Sequence, residues 1–341
     1  MSKTYKCEGC GGLLSFDPET QSLKCEYCKS IFHFTGETRL GVLKQPYSGA
    51  LTYKQEEDSK HIYECANCHT KMANNQDVPI TRCVSCGSKD LAEVQGTGVH
   101  PMAVIPFKIS RKKAAECFAD WLSTRKFAPN DLKKMAKLQK MSGFYAPVYS
   151  FDLTAVTEYS AEGITKWKDK DGKEHSSSKY VSGTESEDYV DYIVSASNSI
   201  DSDIYAEFDG YKTASAVGYS SEYLLGFTGV NTDFDVHKGY RVLNQRISKH
   251  EEERINRMLS RRFDDVDHLR TNTTIRNVLN CYYYAPIWAN HYKYKNKDYH
   301  CYVNGQTGKV CGKSPKSVWK ILGLVLGIIT WIAFVGYLLS R

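Results

Sequence analysis

An α+β fold is predicted by three features of the 341-residue sequence. Eight cysteines form four CxxC pairs before residue 90, two stretches of helical periodicity interrupt segments of period two, and 19 residues near the C-terminus carry no charge. The length implies two or three folded units, and a composition of 41% hydrophobic and 25% charged residues is that of a chain with a buried core.

The cysteines come first because their spacing is the most specific signal. Cys7 and Cys10 are followed after 14 residues by Cys25 and Cys28, and Cys65 and Cys68 after 14 residues by Cys83 and Cys86. The second set is the first displaced by 58 positions, so two copies of one module are expected. Two residues between cysteines let a tight knuckle present both sulfurs to one metal, and a short hairpin returns a second knuckle to complete a tetrahedron. Zinc fits four thiolates; an iron–sulfur cluster or a single iron also accepts them, whereas a redox CxxC does not account for the duplicated spacing. The expectation is two structural Zn²⁺ ions, held by Cys7, Cys10, Cys25 and Cys28 in a ribbon over 1–35 and by Cys65, Cys68, Cys83 and Cys86 in a ribbon over 61–95, with 36–60 as linker. Within the first module, Leu14, Phe16 and Leu23 flank the turn signal Asp17-Pro18-Glu19-Thr20. Modules this small bury little apolar surface, so the metal supplies most of their stability. Cys117, Cys281, Cys301 and Cys311 are unpaired in sequence and read as small packing residues.

The cytosolic α+β domain is assigned to 96–312. Pro101 to Phe107 reads as a strand, and Ser110 caps a helix to about Lys126 whose Ala114, Phe118, Trp121 and Leu122 recur at helical spacing. A second short helix runs from about Asp131 to Met141, after which the period becomes two from Tyr145 to Tyr159. Tyr145-Ala146-Pro147-Val148-Tyr149 returns as Tyr284-Ala285-Pro286-Ile287-Trp288, which predicts two related antiparallel hairpins in one sheet. The second is expected to turn at Lys295-Asn296-Lys297-Asp298, and another turn lies at Asp169-Lys170-Asp171-Gly172. Asp233 or Asp235 caps a long helix over about 234–262, with Val236, Tyr240, Leu243, Ile247, Ile255 and Met258 in one stripe broken at Glu251.

The basic flank and anchor occupy 313–341. Ile321 to Leu339 is long enough to cross a bilayer as one helix, whose span at 1.5 Å per residue is roughly 28 Å. Lys313, Lys316 and Lys320 precede it and only Arg341 follows, which places the N-terminal domain in the cytoplasm and the chain in the plasma membrane as a single-pass, tail-anchored protein. A reducing cytoplasm also preserves the thiolates that zinc requires. The N-terminus runs straight into the first CxxC, so no signal peptide is expected. Gly323 and Gly327 stand at small-xxx-small spacing, which either faces lipid or lets two anchors pack into an oligomer.

Charge is banded. Residues 1–90 are neutral, 108–141 carry net +7, 152–235 net −11 and 291–320 net +6. Neutral ribbons argue against nucleic-acid binding, whose affinity rests on phosphate neutralisation. No phosphate loop, HExxH or GxSxG is present, and the ten histidines are scattered, so no catalytic residue and no enzyme is expected.

Together with the ribbon cysteines, Phe127-Ala128-Pro129-Asn130-Asp131-Leu132, Tyr145-Ala146-Pro147-Val148, Asn272-Thr273-Thr274 and Tyr302-Val303-Asn304-Gly305-Gln306-Thr307-Gly308-Lys309 resemble a bacterial family of TFIIB-type zinc-ribbon membrane proteins, often labelled primosomal protein N-prime or replication factor Y-like. The sequence departs from the usual knuckle CPxCG: Glu8 and Ala66 replace proline, and His69 replaces the final glycine of the third pair. The resemblance implies a membrane scaffold or adaptor that recruits a flotillin-like SPFH protein and a PspA-type envelope-stress protein. The alternative is a membrane-tethered nucleic-acid-binding protein.

Overall fold

A computed structural model describes residues 5–34, 44–47, 55–56, 62–73, 80–94, 98–99, 101–135, 141–200, 203–208, 210–233 and 235–339. The fold is α+β, as the sequence predicts. The first ribbon is a three-stranded sheet of β1 (Leu14–Asp17), β2 (Ser22–Cys25) and β3 (Ile31–Phe32). Its hairpin closes at the predicted turn, where the Asp17 carboxylate accepts hydrogen bonds from the Glu19 N–H at 3.2 Å and the Thr20 hydroxyl at 3.1 Å. Between the ribbons lie two short strands, β4 (Gln45–Pro46) and β5 (Gln55–Glu56); most of the linker lies outside the described residues.

The second ribbon, β6 (Ile62–Cys65), β7 (Lys71–Ala73) and β8 (Leu91–Val94), is followed by β9 (Gly98–Val99), which pairs with β5, and by β10 (Ala103–Val104). Only those two residues of the Pro101–Phe107 segment pair as a strand. Helix α1 (Arg111–Thr124) starts at Ser110, whose hydroxyl accepts from the Lys113 N–H at 3.4 Å, and buries Ala114, Phe118 and Leu122. Helix α2 begins at Asn130 and is described to Met135; the remainder of the predicted helix, 136–140, lies outside the described residues.

Three long strands follow: β11 (Ser142–Lys168), β12 (Glu174–Ser195) and, after α3 (Asp203–Glu207), β13 (Val217–Gly218), β14 (Thr228–Val230) and α4 (Val236–Leu259), β15 (Asp265–Tyr294). The chain closes with β16 (Lys297–Asn304), β17 (Val310–Gly312) and α5 (Val318–Leu339). Both predicted hairpins form, β11/β12 around 169–173 and β15/β16 around Lys295-Asn296. The duplicated phrases face one another: Tyr145 pairs with Pro286, Ala146 with Ala285 and Pro147 with Tyr284. The two proline pairs lie two residues apart and so belong to the same class of antiparallel pair. The Pro286 carbonyl accepts from the Gly305 N–H and the Pro147 carbonyl from the Ala196 N–H, each at 2.9 Å, so both prolines turn their backbone away from the β11–β15 ladder and remove no bond from it.

The main sheet has twelve strands on a path β13-β10-β15-β11-β14-β7-β6-β8, with β12 on β11, β4 and β16 on β15, and β17 on β16. The second ribbon is therefore an extension of this sheet: Gly229 and Val230 of β14 pair with Ala73 and Met72 of β7. Beyond residue 152, strands β11, β12 and β15 continue as a three-stranded arm. Asp235 caps α4 by accepting from the Lys238 N–H at 2.9 Å, and the helix lies along the arm. Its buried stripe is Val236, Gly239, Leu243, Ile247, Glu251, Ile255 and Leu259, so the helical periodicity in the sequence is core. Glu251 belongs to the stripe instead of breaking it.

Candidate metal centres and membrane span

Each ribbon gathers its own four cysteines. In both groups the sulfurs all lie within 4.8 Å of one another. Sγ separations are 3.6 Å for Cys7–Cys28, 3.5 Å for Cys10–Cys25, 3.6 Å for Cys65–Cys86 and 3.5 Å for Cys68–Cys83. A tetrahedron with Zn–S bonds near 2.3 Å has edges of about 3.8 Å, so both cages are of a size to hold Zn²⁺. With all four positions supplied by sulfur, such an ion is structural.

The four knuckles share one backbone path. The N–H of Gly11, Lys29, His69 and Gly87 each bonds back to the carbonyl of the first cysteine of its pair, at 2.8, 3.1, 2.8 and 2.9 Å. All four residues adopt positive φ, at 71°, 64°, 56° and 77°. The absent glycine at His69, and at Lys29, therefore leaves the knuckle intact; the side chains accept the left-handed conformation at a cost of roughly 1–2 kcal/mol each. In every pair the first cysteine is buried and the second more exposed.

Thiol acidity within the cages is split. Hydrogen bonds from the Ser30 hydroxyl and amide pull Cys28 down to about 6, while at Cys10 the Gly12 amide's lowering is outweighed by the neighbouring thiols, which push it up to about 12. In the second cage burial opposes ionisation of Cys86, but bonds from Asn67 and the Ser88 amide bring it to about 7; burial raises Cys83 and Cys68. Four close sulfurs cannot all ionise without a cation among them, which is the condition a divalent metal meets.

Both ribbons are tied to the body. Phe16 N–H donates to the Leu225 carbonyl at 2.9 Å and Gln21 to the Phe107 carbonyl at 2.7 Å, and Leu14, Phe16 and Leu23 pack with Tyr223, Leu224 and Phe227. In the second ribbon, Val84 and Ser85, which separate Cys83 from Cys86, offer their carbonyls to His291 at 2.9 Å and to the Tyr302 hydroxyl at 3.1 Å. Of the other cysteines, Cys281, Cys301 and Cys311 are buried and Cys117 is half-buried.

Two further clusters tie the sheet domain together. Lys44 bridges Asp152 at 2.6 Å and Asp191, which also accepts from Thr213, at a bulge between Phe151 and Leu153 where Asp191 has φ 56°. The Tyr302–Lys309 phrase is buried from Val303 to Gln306 and emerges at Thr307 and Lys309: the Asn304 side-chain carbonyl accepts from the Gln306 and Thr307 N–H groups at 2.8 and 3.1 Å, and Gln306 reaches across to Lys212 and Ser215.

Helix α5 is long and apolar enough to cross a membrane, and none of its side chains is buried in the body. It begins three residues before the uncharged run. Its start is held to the α1–α2 loop, where Lys320 Nζ donates to the Ala128 carbonyl at 2.7 Å and to Asn130 at 2.8 Å, and the Ser317 N–H donates to the Phe127 carbonyl at 2.8 Å.

No family model matches the chain, and no solved structure does. It is 24% identical over 338 residues to "Uncharacterized protein YdjG" of Bacillus subtilis (strain 168), a match that covers 96% of this chain and 94% of the relative. The similarity thus extends over nearly the whole length of both chains.

Proposed function

We propose that this chain is a non-catalytic, membrane-anchored zinc-ribbon scaffold whose ribbons and sheet domain face the cytoplasm and hold protein partners at the membrane. The observation that carries the reading is the combination of two complete four-cysteine cages, each fixed to one sheet domain, with an apolar helix whose first turn is hydrogen-bonded to that domain. The closed cages leave no coordination position for a substrate and so serve to stiffen small modules whose outer faces remain available for recognition. Lysines ahead of the helix support the cytoplasmic orientation. Family resemblance supplies the partner classes, a flotillin-like SPFH protein and a PspA-type envelope-stress protein.

Affinity purification of the full chain from detergent-solubilised membranes is the test. Both partner classes should co-purify, and their loss from the membrane fraction should follow deletion of 318–341. Recovery of neither partner refutes the scaffold. Tight binding of DNA or RNA that weakens steeply with salt supports the tethered nucleic-acid reader instead.

A further inference from the structure

The first turn of α5 sits against the loop between α1 and α2, and that contact fixes which part of the domain meets the bilayer. Ser317 and Lys320 bond to Phe127, Ala128 and Asn130, so the loop stands level with the point where the apolar helix begins. Around that level the exposed side chains include large apolar groups and cations. Phe127 is 36% exposed, Val318 74% and Trp319 80%, while Arg125, Lys126 and Lys316 are exposed cations. Arg125 lies over the Trp121 ring at 4.6 Å and stays exposed. Asp131, at the start of α2, is exposed and keeps its negative charge, its carboxylate accepting from the Tyr294 hydroxyl at 3.0 Å, and it is outnumbered by Arg125, Lys126, Lys316 and Lys320. Lys320 spends its donors on neutral carbonyl oxygens, so its charge is not cancelled.

Exposed aromatic rings among cations at the head of an apolar helix match the chemistry of a bilayer interface, where indole and phenyl rings sit at headgroup depth and anionic headgroups attract Lys and Arg. We propose that the α1–α2 loop, with Arg125, Lys126 and Phe127 beside Lys316 and Trp319, is a docking surface for anionic phospholipid headgroups, and that it clamps the domain against the membrane. The proposal rests on α5 spanning the bilayer. It gives a role to Arg125 and Lys126, which belong to the basic excess at 108–141 and are far in sequence from the helix but brought beside its first turn by the bonds to Lys126, Phe127 and Ala128. A domain clamped this way presents its ribbons and arm at a fixed orientation to partners on the same leaflet.

The test uses the full chain reconstituted in nanodiscs of phosphatidylcholine alone or of phosphatidylcholine with phosphatidylglycerol. Amide hydrogen exchange of residues 124–131 should slow in the anionic discs. Each surface cation is worth about a fivefold change in the docked population, so Arg125→Gln with Lys126→Gln should lower it roughly 25-fold and erase the difference between the discs. Both side chains are exposed, and exchange in α4 should stay unchanged, which shows that the variant is folded. A photoreactive benzoylphenylalanine in place of Phe127 should cross-link to lipid. Equal exchange in the two lipids, or no lipid cross-link, overturns the surface. If alkaline washing removes the chain from vesicles, the anchor itself is refuted, an outcome distinct from an anchored chain indifferent to headgroup charge.

Discussion

Removing the Arg254 guanidinium should open the arm, and should do so most at neutral pH. Glu251 has no exposed surface, and its carboxylate receives four donors: Arg254 Nε at 3.0 Å and Nη2 at 2.8 Å, the Thr157 hydroxyl at 2.9 Å and the Tyr189 hydroxyl at 2.5 Å. Burial pushes its pKa up, but the bonds from Arg254, Tyr189 and Thr157 outweigh burial and hold it below the usual carboxylate range. Arg254→Ala deletes the only cation among these donors. Breaking a fully buried pair costs about 3–5 kcal/mol, and because Arg254 is itself 23% exposed, water replaces part of what is lost, leaving about 2–3 kcal/mol. Local opening of α4 against β11 and β12 should then become roughly 30- to 150-fold more frequent, read as reduced exchange protection over 247–259 and 155–161.

The sign of the pH dependence is the sharper check. In the parent chain the carboxylate is depressed on folding, so its stabilisation is present above the unfolded value near 4.5 and disappears as pH falls through the lower folded value. In Arg254→Ala burial dominates, the folded carboxylate rises above the unfolded one, and the protonated form becomes the better guest. The deficit relative to the parent should therefore shrink on mild acidification. Adding Glu251→Gln to Arg254→Ala should recover stability at neutral pH by removing the uncompensated charge. Unchanged protection in Arg254→Ala, or a deficit that grows on acidification, refutes this account of the network.

Three further outcomes follow from the cages and the sheet. Metal analysis of the purified chain should return about two equivalents of zinc, and Cys25→Ser should reduce this to about one while leaving the second ribbon folded, because each cage closes on its own cysteines; mostly iron, or loss of both ions, contradicts the pairing. Lys29→Gly should relieve the left-handed strain at φ 64° and slow chelator extraction from the first ribbon by a gain of up to about 1 kcal/mol. Gly305→Ala would place a methyl group 2.5 Å from the Phe107 ring and 2.8 Å from Pro286, so a cost of about 1–3 kcal/mol is expected in thermal unfolding of the sheet domain.

What the sequence discloses here depends on how far apart the cooperating residues lie. The metal cages were legible because the ligands of each sit within 21 positions and their spacing encodes the knuckle directly. Helix α4 was legible in extent and face, since periodicity is local. Glu251 was not: a carboxylate in an apolar stripe reads as an interruption, and the partners that make it core, Tyr189 and Thr157, lie 62 and 94 positions away. The first half of β15 escaped for a related reason. Thr271, Thr273 and Ile275 face the helix side while Asn272, Thr274 and Arg276 face out, so polar residues stand on both faces and the period of two is muted. The same distance effect hid the union of the second ribbon with the main sheet, which rests on Gly229 and Val230 meeting Ala73 and Met72 from more than 150 positions away. That union carries a mechanical consequence. Metal loss from the first ribbon removes a module docked by side chains and one backbone bond to Leu225, whereas metal loss from the second frees β7 from β14 and withdraws the Val84 and Ser85 carbonyls from His291 and Tyr302. Cys83→Ser should therefore raise hydrogen exchange in β14 and in β15 around His291, while Cys25→Ser should leave those strands at their parent protection; equal responses to the two substitutions would show that the second ribbon is mechanically separate from the sheet.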